Sequence, residues 1–227
     1  MELFWSLPSV TLIAGSSDRS IERLFAASPV RSFGEGARLS DPDARPERTF
    51  LCLSGTLKVT KLLASGREIL ITILQAGSVW SDRAVLNGYW RDVFIETMDE
   101  SDIVTVENSV FEEFIRSRPE LVSSFMVRIS EQVSDALTLL DDFRGRDVAS
   151  RLASVLIRFS KQYGVPTDAG VRIDLPVTHQ DLANMIGTAR ETVSRNMGRF
   201  RKDGMVREAE GHALEIVNIG GLEALIV

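Results

Sequence analysis

Gly187 stands between two short amphipathic stretches, THQDLANMI before it and TARETVSRNMGRF after it, and this arrangement restricts the local fold more than any other feature of the chain. Glycine reaches the left-handed backbone region without steric cost, so it ends helices that must turn sharply. Thr178 precedes the apolar positions Leu182, Met185 and Ile186 and can cap a helix there. Beyond the glycine, Thr188 and Glu191 have the spacing of a capping box, Thr at the N-cap and Glu at N3, which predicts a second helix. Ala183, four residues before Gly187, is small enough to let the helices approach, and Val193, six residues after it, fills their shared core. The spacing predicts a helix-turn-helix whose second helix is the recognition helix. A generic helical hairpin can carry the same glycine, but the residues that follow favour the first reading. Gly204 to Arg207 and Ala213 to Val217 have strand character around the turn Ala209-Glu210-Gly211-His212, which adds a β-hairpin wing.

Positive charge is concentrated in the same region. Between Thr178 and Arg207 six cationic side chains, Arg190, Arg195, Arg199, Arg201, Lys202 and Arg207, stand against the carboxylates of Asp181, Glu191 and Asp203. The chain as a whole carries −6, so any basic footprint is confined to this segment. Positions 190, 191, 194 and 195 share one helical face. Arginine can donate twice to guanine O6 and N7, and glutamate can accept from cytosine N4, so Arg190, Glu191, Ser194 and Arg195 are candidates for reading bases in double-stranded DNA. Thr188, His179, Gln180 and Arg199 are candidate DNA contacts around them. Arg199, with Arg201 and Lys202, suits phosphates, which position a protein without specifying sequence. For Arg190 and Arg195 the competing reading is a solvated or phosphate-facing surface, and for Glu191 it is the capping box itself.

A chain of 227 residues is long enough for two domains. After a short lead-in around Ser17 to Ala27, the stretch from Val30 to Val106 reads as strands, FLCLSG, TLKVTKLL, REILITIL and DIVTV among them, cut by turn residues such as Ser65-Gly66 and Ala76-Gly77. Many short strands of this kind suggest a small antiparallel barrel or sandwich. From Pro119 the pattern becomes helical. Phe125, Ile129, Val133, Ala136, Leu140 and Phe143 recur at steps of three and four, which fits a dimerising coiled-coil seam or a helix packed on its own barrel. A further amphipathic helix is expected from Asp147 to Tyr163.

Several classes are disfavoured. The single cysteine, Cys52, can close no intramolecular disulfide and build no four-cysteine cage; it reads as a buried small hydrophobe in a reducing cytoplasm. No signal-peptide order is visible at MELFWSLPSV, and no apolar run approaches the ~18 residues of a membrane span. Neither His179 nor His212 neighbours a serine or carboxylate in a nucleophilic arrangement, and no phosphate-cradling glycine loop occurs, so enzyme chemistry has little support.

The sequence resembles the Crp/Fnr superfamily of bacterial transcription regulators. The likeness is carried by THQDLANMIGTARETVSR, by RDVASRLASVLIRFSKQYGV and by FLCLSGTLKV, whose Gly55 matches a glycine-centred β-roll signature, and it runs from about Phe33 onward. The middle stretch, with GVRIDLPVTHQ, is most similar to the cyanobacterial global nitrogen regulator branch. The resemblance implies an α+β fold: an N-terminal antiparallel β-roll of the cyclic-nucleotide-binding type over 1–118, a long dimerisation helix over 119–146 and a C-terminal winged helix-turn-helix over 147–227. It implies a homodimer on a palindrome, with Arg190, Glu191 and Arg195 at base-reading positions of a TGTGA-type half-site, and RNA polymerase as a partner. Asn196 departs from the pattern, because relatives place an apolar residue there.

The sensor half departs further. Cyclic-nucleotide binders of this family carry a Gly-Glu pair and later an Arg-Ser pair for the phosphate, where this chain has Ser81-Asp82 and Asp92-Val93. A carboxylate beside a phosphate repels it. Arg83 and Arg91 lie nearby, but a one-residue slip in a strand reverses the face. For 2-oxoglutarate the family uses arginines where this chain has Val93 and Gln132, and haem is disfavoured because both histidines lie in the DNA-binding half. Ser81, Asp82, Arg83, Arg91 and Gln132 are therefore the candidate effector residues, no cofactor or metal is expected, and a constitutively DNA-competent regulator stands beside an effector-controlled one. The alternative function is a small-molecule-binding module acting mainly through protein contacts.

Overall fold

The computed structural model describes residues 5–6, 28–39, 48–81, 92–117, 147–209 and 213–226. The chain divides into two compact units, residues 1–135 and 136–227. The lead-in at Ser17 to Ala27 and the whole coiled-coil stripe from Phe125 to Phe143 lie outside the described residues.

The first unit is built from antiparallel strands. Its five-stranded sheet runs β1 (Trp5–Ser6), β6 (Ser78–Ser81), β3 (Arg48–Ser54), β8 (Ser101–Glu107), β2 (Arg31–Phe33), and its three-stranded sheet runs β5 (Glu68–Gln75), β4 (Thr56–Leu62), β7 (Val93–Thr97). Phe50, Cys52, Leu57, Val59, Trp80 and Ile95 belong to one buried cluster drawn from both sheets, and each large side chain so placed contributes about 1.5–3 kcal/mol. β3 is buried on both faces, since Leu51 between them is equally enclosed. Gly55 joins β3 to β4 with φ +84°, and an added Cβ would lie 2.6 Å from the Glu100 carbonyl oxygen, so both the backbone angle and the space demand glycine.

A helix not expected from the sequence, α1 (Asn108–Arg116), follows β8 at once and packs against β8 and β3, while the helix expected from Pro119 lies outside the described residues. The apolar alternation of the strand runs into Val110, Phe111 and Phe114 with no glycine or proline between them, which hides the boundary in the sequence.

In the second unit Asp147 caps α2 (Val148–Tyr163), its Oδ1 accepting from the Ser150 amide at 2.8 Å. The expected strands of the wing are present as β11 (Val206–Glu208) and β12 (Leu214–Ile216), antiparallel in the register Val206↔Ile216, while residues 210–212 of the turn lie outside the described residues. The wing is part of a larger sheet, order β11-β12-β10-β9, which takes in a hairpin of β9 (Gly164–Thr167) and β10 (Gly170–Ile173) that the sequence did not announce.

Candidate DNA interface

Two helices build the site, α3 (His179–Ile186) and α4 (Arg190–Lys202). Thr178 caps α3 as expected and completes a capping box of its own. The Asp181 amide donates to Thr178 Oγ1 at 3.1 Å, and the Thr178 amide donates to Asp181 Oδ2 at 3.0 Å. Gly187 ends the helix in the left-handed region, φ 69° and ψ 40°, and its amide bonds back to the Ala183 carbonyl.

The second cap is not where Thr-x-x-Glu would place it. The N-cap of α4 is Ala189, which makes no side-chain cap bond. The Thr188 amide is drawn backward to the Ala183 carbonyl oxygen at 3.0 Å, so Thr188 belongs to the end of α3 rather than to the start of α4. Glu191 is therefore released from the capping role and stands exposed in the first turn, where the helix dipole favours a carboxylate.

One face of α4 holds it in place. Val193, Met197 and Phe200 are buried, with Val193 and Phe200 completely enclosed, and α4 packs on both α2 and α3. Ala183 is also fully buried, as the close approach of α3 and α4 requires. The opposite face carries Arg190, Glu191, Ser194 and Arg195, all exposed. The structure thus brings these four onto one solvent-facing surface, with half-buried Thr188 and His179 beside it.

His179 Nδ1 lies 2.9 Å from Ser194 Oγ, a contact between α3 and α4 that no local pattern announces. Burial holds the His179 imidazole below its usual pKa, helped by the nearby Arg201 and Arg190. Gln180 is exposed and donates from Nε2 to Asn184 Oδ1 at 2.8 Å. Arg199 forms an exposed ion pair with Asp203, Nε to Oδ2 3.5 Å, one turn on. Asn196 finds a polar partner within its own helix, the Thr192 carbonyl oxygen.

Glu215 is a residue that sequence reasoning missed. On β12, between β11 and β10, its buried carboxylate accepts from the Thr167 hydroxyl of β9 and from Arg207 Nε of β11 at 2.5 Å. Those two hydrogen bonds hold its carboxyl below the usual glutamate range. The only signal in the sequence was an acidic residue inside an apolar strand, LEI.

The sensor candidates are mostly out of view. Ser81 ends β6 opposite Thr49, while Asp82, Arg83, Arg91 and Gln132 lie outside the described residues. Asp92 is exposed, has φ +70° and accepts at its carbonyl from the Leu62 amide, and Val93 joins the apolar barrel core. Cys52 is buried in that core, and burial, followed by Asp99 and Asp102, pushes its thiol up to about 12. Among the described residues no helix is long and apolar enough to cross a membrane.

Two family models match the chain: a Crp-like helix-turn-helix domain over residues 150–225 and a cyclic nucleotide-binding domain over residues 30–118. The global nitrogen regulator of Synechococcus elongatus is 27% identical over 179 residues, covering 78% of this chain and 81% of its own. A CRP-like cAMP-activated global transcriptional regulator of Mycobacterium tuberculosis is 23% identical, covering 71% of this chain and 72% of its own. Among solved structures, a CooA variant from Carboxydothermus hydrogenoformans is similar with a TM-score of 0.80 at 20% identity, covering 100% and 99% of the two chains. The c-di-GMP responsive global regulator CLP of Xanthomonas campestris has a TM-score of 0.67 at 19% identity, covering 87% and 98%.

Proposed function

Because the chain belongs to the Crp/Fnr family of DNA-binding transcription regulators, we propose that it works as a homodimer on a palindromic site with TGTGA-like half-sites. Members of this family are regulators rather than enzymes. In this reading residues 1–118 form the sensor-like domain, 119–146 the dimerisation helix and 147–227 the DNA-binding domain. Each α4 enters a major groove, the two grooves lying about one helical turn apart. Arg190 and Arg195 donate to guanine, Glu191 accepts from cytosine N4, and Ser194 completes the base-facing surface. Thr188, Gln180, His179 and Arg199 contact the flanking backbone. RNA polymerase is the downstream partner, and the protein acts in the cytoplasm, where bacterial DNA is.

The observation that carries this reading is the division of α4 into a fully buried face and an exposed face on which Arg190, Glu191, Ser194 and Arg195 stand together, Glu191 being free of the cap. Selection from random duplexes at moderate salt tests it, with enrichment of a palindrome expected; no preferred sequence sinks the proposal. On the selected site Arg190→Ala relaxes one base pair at about 1–3 kcal/mol, whereas Arg199→Ala weakens all sequences alike.

The sensor is proposed to be effector-controlled or constitutive, with Ser81, Asp82, Arg83, Arg91 and Gln132 as the positions to probe. Asp92 and Val93 weigh against a cyclic-nucleotide phosphate, since one brings a negative charge and the other is committed to the core. Titration of DNA binding with cyclic nucleotides and 2-oxoglutarate decides between the two modes.

A further inference from the structure

The contact between His179 Nδ1 and Ser194 Oγ joins the two helices of the reader at a residue on its base-facing side. A serine hydroxyl has one proton and two lone pairs, and a histidine nitrogen accepts or donates according to its protonation. We propose that His179 is a positioning residue that sets the hydrogen-bond polarity of Ser194, and through it the base pair preferred at one position of the half-site. With neutral His179 in the Nε2–H tautomer, Nδ1 accepts, the Ser194 proton points inward and its oxygen meets the DNA as an acceptor, favouring a cytosine or adenine amino group. With protonated His179 donating through Nδ1, the hydroxyl proton turns outward and Ser194 meets the DNA as a donor, favouring guanine O6 or a purine N7. One proton from solvent binds Nδ1, forming an N–H bond, and one hydroxyl rotates; no other bond changes.

In the free protein the surroundings favour the first of these states. Burial favours neutral imidazole, and the charged groups acting on it, Arg201 and Arg190, both belong to α4 and press the same way. On its own helix the Asp181 carboxylate is turned to Thr178, and on α2 the Arg158 guanidinium is turned to Met185 Sδ at 3.4 Å. The negative potential of a bound duplex favours the imidazolium and brings its titration back toward the unperturbed range.

The inference rests on α4 being the base reader, and one experiment separates the two. Full-length protein is put through random-duplex selection at about pH 8 and about pH 5.5, and the affinities of duplexes differing at a single base pair are compared as a ratio. The ratio at the pair under Ser194, recognised as the preference lost in Ser194→Ala, should shift about three- to tenfold between the two pH values. His179→Gln, which bonds but does not titrate in this range, should show no such shift. A site selected at both pH values with an unchanged ratio overturns this inference alone, as does an equal shift in His179→Gln. Failure to select any site overturns the reading of α4 and this inference with it.

Discussion

The Asn196 carboxamide donates from Nδ2 to the Thr192 carbonyl oxygen, four residues back, at 2.9 Å. This bond gives a polar side chain a place on a half-buried flank of α4, where an apolar residue would otherwise be expected. The backbone loses little if the amide goes, because the same carbonyl also lies in position for the ordinary helical bond, and alanine recovers several tenths of a kcal/mol in helix propensity. Asn196→Ala should therefore change unfolding free energy by less than about 0.5 kcal/mol. A loss above about 1.5 kcal/mol in urea titrations would show that Asn196 is structural in some other way.

The two threonines of the helix-turn-helix predict different outcomes. Thr178 accepts from the Asp181 amide and is bonded in return, so Thr178→Ala should cost about 1 kcal/mol, within a range of about 0.5–2. Thr188 makes no cap bond for α4, and Thr188→Ala should cost under about 0.5 kcal/mol. Thermal unfolding of the two variants side by side distinguishes this arrangement from a capping box at Thr188 and Glu191, which would cost a similar amount at each.

These threonines also show how far local chemistry carries. Thr178 and Gly187 were readable because a cap and a left-handed residue act within one helical turn. At Thr188 the letters of a capping box are present, but a cap depends on where the backbone leaves the extended region. The bond from Thr188 back to Ala183 moves that point to Ala189. Arg190, Glu191, Ser194 and Arg195 share one exposed face all the same, since helical periodicity does not depend on which residue is the cap. The hairpin of β9 and β10 closes locally, Thr167 opposite Gly170, but its place in the wing sheet does not: β10 pairs with β12, and Thr167 meets Glu215, far along the chain, where no short-range pattern announces the partner. In the sensor, the mismatches at Asp92 and Val93 were visible as residue types, but only the structure commits Val93 to the core.

Gly198 sits inside α4 with open space around the position of a Cβ. It lies three residues beyond Arg195 on the exposed side, where neither packing nor backbone angle calls for glycine. Gly198→Ala restricts the unfolded chain and adds a good helix former, and should raise stability by about 0.5–1 kcal/mol in urea titration. A loss of stability instead would mean that α4 needs its flexibility in the free protein.

Glu215 makes the wing sensitive to acid. Its carboxyl is lowered by the hydrogen bonds from Thr167 and Arg207, so the native state binds its proton less readily than the unfolded chain. The stabilisation is then complete above the ordinary glutamate value of about 4.5 and is lost as pH falls through the lower native value. Glu215→Gln keeps an acceptor for Thr167 but cannot ionise, so it should be less stable than the parent at neutral pH, with the gap closing on acidification below about 4.5. Paired urea titrations at both ends of that window check the sign. A gap that stays constant, or widens in acid, would show that the carboxylate does not supply the link between β9, β11 and β12.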